Sequence, residues 1–246
     1  MKAMVLAAGQ GMRLRPLTER RPKALVPVAG RAMIEYPLLL LRHYGIHDIV
    51  INLHHHGEQI VDYLGTGERY DLHITYSRER ELLGTGGGLL KAKSFLKDET
   101  FIVINTDVLI DLSLADLMTF HQVRKAAATL VLRPDERADD YGSIEIDAKG
   151  RICRFLDTRI SPSPGAAGRK LMFTGVQILE PEVFRSADYA AEKFSTTRHI
   201  YPHMLRQGEA LYGYSFEGYW QDLGTEVRIR QAEEDMIQGK ARLHFL

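Results

Sequence analysis

Short apolar runs alternate with amphipathic stretches through the first half of the chain. Met4-Val5-Leu6-Ala7-Ala8 reads as a buried strand that empties into a glycine-rich turn. Ile34 to Tyr44 has helical spacing, with Leu38, Leu41 and His43-Tyr44 on one side and Gly45 as a stop. Pro37 must sit in the first turn of that helix or kink it. Ile49 to Leu53 predicts a strand, Glu58 to Leu64 a helix, and His73 to Tyr76 a strand. The run Gly84-Thr85-Gly86-Gly87-Gly88 opens a helix that extends through Phe95. Phe101-Ile102-Val103-Ile104 is apolar without interruption, as in a strand covered on both faces. Leu114 to Arg124 predicts a helix and Ala128 to Leu132 a strand.

Strands and helices alternating at this spacing predict an α/β fold: a Rossmann-like, mostly parallel sheet with helices on both faces. The pattern changes after Pro134. Ser143 to Asp147 and Ile152 to Leu156 alternate with a period of two around Lys149-Gly150, which predicts a hairpin and hence a smaller antiparallel β insertion. Ser161 to Arg169, rich in Pro, Gly and Ala, predicts a mobile loop. A strand over Met172 to Leu179 follows, then helices around Glu182 and over Arg198 to Gln207. A strand over Leu211 to Phe216 and a helix over Thr225 to Gly239 complete the pattern. No internal repeat and no strong linker breaks the chain, so a single domain over 1–246 is expected.

Composition narrows the chemistry. The 246 residues carry 32 basic and 32 acidic side chains, and 45% are hydrophobic, enough for a sizeable core. Zero net charge argues against a general binder of nucleic acid or anionic membranes. One cysteine, Cys153, makes no internal disulfide, and no cysteine cluster suggests zinc. Met4 to Ala8 is too short for a membrane span or a signal-peptide core, so a cytoplasmic protein is expected. His54-His55-His56 invites a metal reading, but consecutive strand residues point to alternate sides, which favours a surface or packing role.

The balanced total hides a polarised stretch. Gly9 and Gly11 let the backbone approach a ligand and turn several N–H groups toward one anion. Leu14 stands where a dinucleotide fingerprint needs its third glycine, and no Gly-Lys-Ser/Thr follows, so neither of those two nucleotide motifs applies. From Arg13 to Arg31 there are six basic residues and one acidic, Glu19. Arg13 sits on the glycine turn and Lys23 follows Pro22, so two cations beside the turn would neutralise a polyphosphate. Asp107 lies just past the apolar strand, where open α/β sheets bind ligands, though such a residue can also be a cap or a turn residue. Asp222 taken alone reads first as a helix-start signal before Thr225.

The run Leu6 to Pro16, with Pro22-Lys23-Ala24-Leu25-Val26-Pro27-Val28 and Met33-Ile34-Glu35-Tyr36, resembles the signature of the sugar-1-phosphate nucleotidylyltransferases. The pattern is long and therefore specific, and the resemblance runs from Lys2 to about Gly239. It implies an enzyme that joins a nucleoside triphosphate to a sugar 1-phosphate and releases pyrophosphate. Mannose-1-phosphate guanylyltransferases and N-acetylmuramate-1-phosphate uridylyltransferases look most similar. It implies that Arg13 and Lys23 act on the phosphates, and that Leu6, Ala8, Gly9 and Gly11 bind the nucleotide. It assigns the base to Gly84, Thr85 and Gly86, and Mg²⁺ to Asp107 and Asp222. Tyr141-Gly142 and Phe173-Thr174-Gly175 resemble positions lining the sugar pocket, so Gly142, Thr174 and Gly175 are assigned to the sugar. Asp157 joins them, although Phe155-Leu156-Asp157-Thr158 lacks the lysine of the usual Phe-x-Glu-Lys; Arg159, Arg169 or Lys170 would have to supply that cation. Two more departures are Met12, where the family carries threonine, and Thr106, where it carries glycine. The C-terminal β-helix domain of some relatives is not expected, and a monomer or small homo-oligomer is. A glycosyltransferase using Asn105-Thr106-Asp107, or a silent nucleotide-sugar-binding subunit, are the alternatives; the first explains neither Arg13 nor Lys23.

Overall fold

The computed structural model describes residues 1–135, 144–159, 169–185 and 193–246. In chain order the described strands are β1 (Lys2–Leu6), β2 (Pro27–Val28), β3 (Arg31–Ala32), β4 (Asp48–Leu53), β5 (His73–Arg78), β6 (Phe101–Asn105), β7 (Val108–Ile110), β8 (Ala128–Arg133), β9 (Ile144–Ile146), β10 (Ile152–Phe155), β11 (Thr158–Arg159), β12 (Arg169–Leu179), β13 (Leu211–Ser215) and β14 (Trp220–Asp222). The helices are α1 (Glu35–His43), α2 (Gly57–Leu64), α3 (Gly84–Lys91), α4 (Lys93–Leu96), α5 (Leu114–Arg124), α6 (Tyr201–Arg206) and α7 (Glu226–Ile237). None of the described helices is long and apolar enough to cross a membrane. The chain divides into two compact units. One comprises Met1–Leu82, Val103–Leu112 and Gly218–Leu246; the other comprises Leu83–Ile102 and Ser113–Glu217.

The first unit holds the sheet order β6-β1-β4-β5, with β1 parallel to β4 and β4 parallel to β5. β1 and β4 are buried because their apolar residues are continuous: Met4, Val5, Ile49 and Ile51 are all at 0% exposure, whereas the last strand in the order, β5, has no buried residue. β1 stops at Leu6, not at Ala8. The N–H of Ala7 leaves the ladder and donates to Asn52 Oδ1 at 2.8 Å, so the buried pair Ala7-Ala8 begins the loop. α1 forms as its spacing predicts. Pro37 is its third residue, where no intrahelical N–H is required, and Leu38 to Leu41 are buried. Gly45 follows in the left-handed region at φ +71°.

The second unit holds the order β11-β10-β9-β12-β8-β13. Its neighbours pair antiparallel except for β13, which runs parallel to β8. The predicted hairpin is β9 and β10. Arg169 already belongs to β12, and the rest of the predicted loop, 161–168, lies outside the described residues. The helix predicted through Phe95 is two pieces. The N–H of Ala92 is shared between the carbonyls of Gly88 and Leu89, and α4 restarts at Lys93. Around Glu182 there is only a 3₁₀ turn, Pro181–Phe184. The predicted helix over Arg198 to Gln207 begins as a wide π turn, Thr196–Ile200, before α6. Pro202 at the start of α6 has no N–H to continue the α-helical ladder backward.

Candidate active site

The first unit holds eight of the expected residues: Leu6, Ala8, Gly9, Gly11, Arg13, Lys23, Asp107 and Asp222. The glycine turn leaves β1 and reaches Gly11, whose φ of +65° is left-handed. A Cβ at Gly11 would stand 2.9 Å from the Thr18 methyl and 3.0 Å from Lys23 Cβ, so only glycine fits this packing. A Cβ at Gly9 would meet nothing within 4 Å, so its surroundings are open. Met12–Leu14 forms a 3₁₀ turn that exposes Arg13 and buries Leu14. Met12 does not pack into the loop: it is 64% exposed, so its replacement of threonine leaves the loop interior unchanged.

Lys23 begins a second 3₁₀ turn after the extended Pro22. Its Nζ forms an ion pair with Asp107 Oδ2. The side chains are 15% and 23% exposed, so each charge is partly shielded and each has its counter-ion beside it. Asp107 follows β6. Thr106, just before it, uses its hydroxyl to donate to the Leu6 carbonyl at 2.6 Å, and its N–H reaches the same oxygen at 3.2 Å. The replacement of glycine by Thr106 therefore ties Asp107's strand end to β1. Leu6, Ala7, Gly9, Lys23, Ala24, Thr106 and Asp107 line one small cavity of about 80 Å³. Ala8 is buried and outside that lining.

Asp222 reaches Asp107 through a ribbon that the hydropathy pattern does not predict. β7 and β14 pair antiparallel, Trp220 opposite Ile110 and Asp222 opposite Val108. The Leu223 N–H donates to the Asp107 carbonyl at 2.9 Å and prolongs the pairing by one residue. Asp222 is not the helix cap. Thr225 fills that place, its hydroxyl accepting from the Arg228 N–H. Asp222 Oδ1 instead accepts from Arg228 Nη1 at 2.6 Å and from the Gly224 N–H at 2.8 Å. Gly224 keeps this corner narrow: a Cβ there would stand 2.5 Å from Arg13 Nη2 and 2.7 Å from Asp222 Oδ1. Arg13, Asp222 and Arg228 thus meet around Gly224. Arg228 and Gly224 are parts of the site that residue-by-residue reading missed.

Two carboxylates, Asp107 just before β7 and Asp222 on its partner β14, fit a hard divalent cation. Asp107 Oδ1 and Asp222 Oδ2 have no hydrogen-bond partner among the described residues, so each carboxylate presents one oxygen. No group of three or more His, Cys, Asp and Glu among the described residues forms a closed metal cage. An ion held by few carboxylates and completed by phosphate and water matches that donor set. His54, His55 and His56 take no part in it; each faces a backbone carbonyl, of Glu79, Thr18 and Glu19 respectively.

The second unit carries the remaining expected residues. Gly84 opens α3 at φ +75°, and a Cβ there would lie 2.5 Å from the Phe194 carbonyl oxygen. That carbonyl accepts from the N–H groups of Gly86 and Gly87 at 3.0 and 3.3 Å, so these two helix-start donors are taken by the protein itself. Thr85 Oγ1 accepts from the Thr196 N–H at 2.9 Å. Phe194 and Thr196 therefore shape the glycine run, and nothing local in the sequence pointed to them. Thr174 is buried and donates its hydroxyl to the Val131 carbonyl at 2.9 Å. Gly175, at φ +91°, lies where the register of β12 against β8 shifts between Phe173 and Gln177. Asp157 is exposed in the turn between β10 and β11. Arg159 is held by Glu145 at 2.5 Å and Arg169 by Glu217 at 3.0 Å, while Lys170 is exposed. Tyr141 and Gly142 lie outside the described residues.

A glycine turn and two cations stand with two carboxylates, one past β6 and one on β14, in an α/β protein, an arrangement suited to a phosphate ligand. The chain belongs to the nucleotidyl transferase family, which it matches over residues 2–239. It is 34% identical to UTP–glucose-1-phosphate uridylyltransferase of Synechocystis sp., over 94% of this chain and 62% of that protein. It is 31% identical to mannose-1-phosphate guanylyltransferase of Mycobacterium tuberculosis, over 97% of this chain and 65% of that protein. The chain thus spans under two thirds of the length of these relatives. N-acetylmuramate alpha-1-phosphate uridylyltransferase of Neisseria meningitidis serogroup B agrees in length as well, at 35% identity over 95% of this chain and 97% of that protein. Among solved structures, UDP-glucose pyrophosphorylase from Acinetobacter baumanii shares the fold, with a TM-score of 0.78 at 23% identity, covering 98% of this chain and 95% of that one. The expected fold class, a Rossmann-like sheet with an antiparallel insertion, is the observed one.

Proposed function

We propose that this chain transfers a nucleotidyl group from a nucleoside triphosphate to a sugar 1-phosphate and releases pyrophosphate. The sugar phosphate oxygen forms the new bond to the α-phosphorus as the bond to the β-phosphate bridging oxygen breaks. The attacking oxygen is already ionised near neutral pH, so no protein nucleophile and no strong general base is required. The protein's part is positioning and charge neutralisation. Arg13 neutralises the departing pyrophosphate, and Lys23 the charge gathering on the α-phosphate. Asp107 and Asp222 hold Mg²⁺, which supplies Lewis-acid neutralisation of the phosphate oxygens when bound. Leu6, Ala8, Gly9 and Gly11 border the nucleotide, Gly84, Thr85 and Gly86 contribute to base recognition, and Asp157, Thr174 and Gly175 to sugar recognition. Gly142, expected with them, keeps that role as an expectation only.

The observation that carries this reading is the Lys23–Asp107 pair at the strand end, with Asp222 brought beside it by the β7–β14 ribbon. A glycosyltransferase reading leaves that lysine without a task. The relative of matched length is a uridylyltransferase, so UTP with N-acetylmuramate α-1-phosphate is the first pair to assay. GTP with mannose 1-phosphate is the second. Removing one such cation costs on the order of 10²–10³ in rate. Lys23→Ala and Asp107→Ala should lose pyrophosphate release to that extent while melting as cooperatively as the parent. Near-parental turnover in either variant would sink the proposal.

A further inference from the structure

The histidine run does not line the cavity described above, yet it binds the loop that borders it. Asn52, His55, His56 and Gln59 share one corner, where β4 passes into α2. His56 adopts a left-handed backbone, φ 52° and ψ 31°, directly before the helix. The rings of His55 and His56 lie side by side, their centroids 4.1 Å apart. Nε2 of His55 is 3.3 Å from the Thr18 carbonyl oxygen, and Nε2 of His56 is 3.1 Å from that of Glu19. Gln59 Nε2 donates to the Arg20 carbonyl at 3.0 Å. A carbonyl only accepts, so both rings carry a proton on Nε2. Three successive carbonyls are therefore gripped from one side.

The same corner grips the near end of the loop. Asn52 Oδ1 accepts from the Ala7 N–H, and Asn52 Nδ2 donates to Glu79 Oε1 at 2.7 Å, which fixes the amide's orientation. From Thr18 the path to Arg13 is short. Thr18 is buried, donates its hydroxyl to the Gly11 carbonyl at 2.8 Å and packs its methyl against Gly11. Gly11 directly precedes the turn that presents Arg13. Residues 15–22 form no strand or helix, so side-chain bonds carry much of the burden of ordering them.

We infer that Asn52, His55, His56 and Gln59 are positioning residues: the β4–α2 corner sets the course of the loop bearing Arg13 and, through it, the handling of the triphosphate. The ligand in this inference rests on the nucleotidyl-transfer reading; the grip on the loop does not. The test is the double variant His55→Phe/Gln59→Leu, which keeps bulk and removes two donors, beside His55→Gln, which keeps a donor. Hydrogen–deuterium exchange of the ligand-free full chain reads the grip. Exchange over residues 11–22 should rise about fivefold in the double variant, with exchange elsewhere unchanged. With the preferred substrate pair, kcat/KM for the triphosphate should fall on the order of tenfold while KM for the sugar 1-phosphate stays within about twofold. His55→Gln should recover most of both changes. Unchanged exchange over 11–22, or a uniform rise across the whole chain, would overturn the inference, as would equal losses for both substrates. Absence of pyrophosphate release by the parent chain with every pair would instead defeat the reaction assigned above, and the exchange data would still decide the grip.

Discussion

Gly224→Ala crowds Arg13 and Asp222 from the residue between them. No positive φ constrains Gly224, so alanine is acceptable to the backbone. The obstacle is the side chain opposite: the new Cβ would stand 2.5 Å from Arg13 Nη2, 2.9 Å from Arg13 Cζ and 2.7 Å from Asp222 Oδ1. Asp222 is anchored by Arg228 and by the Gly224 N–H itself, whereas Arg13 is exposed on a short turn. The guanidinium therefore moves farthest, and Asp222 Oδ1, also under 3.0 Å from the new Cβ, must shift as well. An exposed charged side chain shifting its place costs about 1 kcal/mol of stability or less. Loss of its charge stabilisation in the transition state costs roughly 2.7–4 kcal/mol, a rate loss on the order of 10²–10³. Continuous pyrophosphate release and thermal melting on the same samples separate the two effects. Because both changes displace Arg13, adding Arg13→Ala to Gly224→Ala should cost less than Arg13→Ala costs the parent. A variant with the parent's rate, or a double variant whose losses multiply, would refute the argument.

Other outcomes follow from the geometry. Gly84→Ala forces a left-handed alanine whose Cβ meets a backbone carbonyl that cannot swing aside, so melting should show a loss on the order of 1–3 kcal/mol. Thr106→Val removes the hydroxyl bond to Leu6, but the Thr106 N–H still serves that carbonyl; the expected loss is about 1 kcal/mol by urea unfolding. Burial pushes the Glu145 carboxyl up, but bonds from Arg154 and Arg159 outweigh it and hold it below the usual carboxylate range. Its stabilisation is then complete above the unfolded value, about pH 4.3, and is lost as pH falls through the lower folded value. The stability gap between the parent and Glu145→Gln should be full at about pH 6 and shrink toward about pH 3; a gap that widens on acidification would contradict the assignment.

Elements with a long enough pattern were legible before any coordinates. Leu114 to Arg124 is a helix with the predicted bounds, started by a Ser113 cap, and the strands near Ile49 and Phe101 each extend by one residue. β7 and β14 were not, because three residues each are too few to show a period and their partner lies over a hundred residues away. The same distance hid the neighbourhood of Asp107 and Asp222, which the residues alone could not connect; only the family resemblance paired them. Lys23 and Arg13 were legible from a glycine turn set in a basic stretch. Phe194 was not, since a carbonyl that receives a remote helix start leaves no mark on side-chain type, and Arg228 was not, since it is one of several charged residues on a polar helix. Alternation along a strand gives the histidines a surface or packing role and captures half of their arrangement: the left-handed turn at His56 brings two of them to the same side.

The β7–β14 ribbon also bears on synthesis. Lys23 and Asp107 leave the ribosome early, whereas Asp222 emerges over a hundred residues later. Until then β7 has an unpaired edge and the first unit is open, because one of its three chain segments is missing. A nascent chain can fold its parallel strands and form its lysine–aspartate pair, yet it holds only half of the carboxylate set. On the nucleotidyl-transfer proposal, an unfinished chain lacks one of its two metal carboxylates, and β7 stays without its partner strand until β14 emerges.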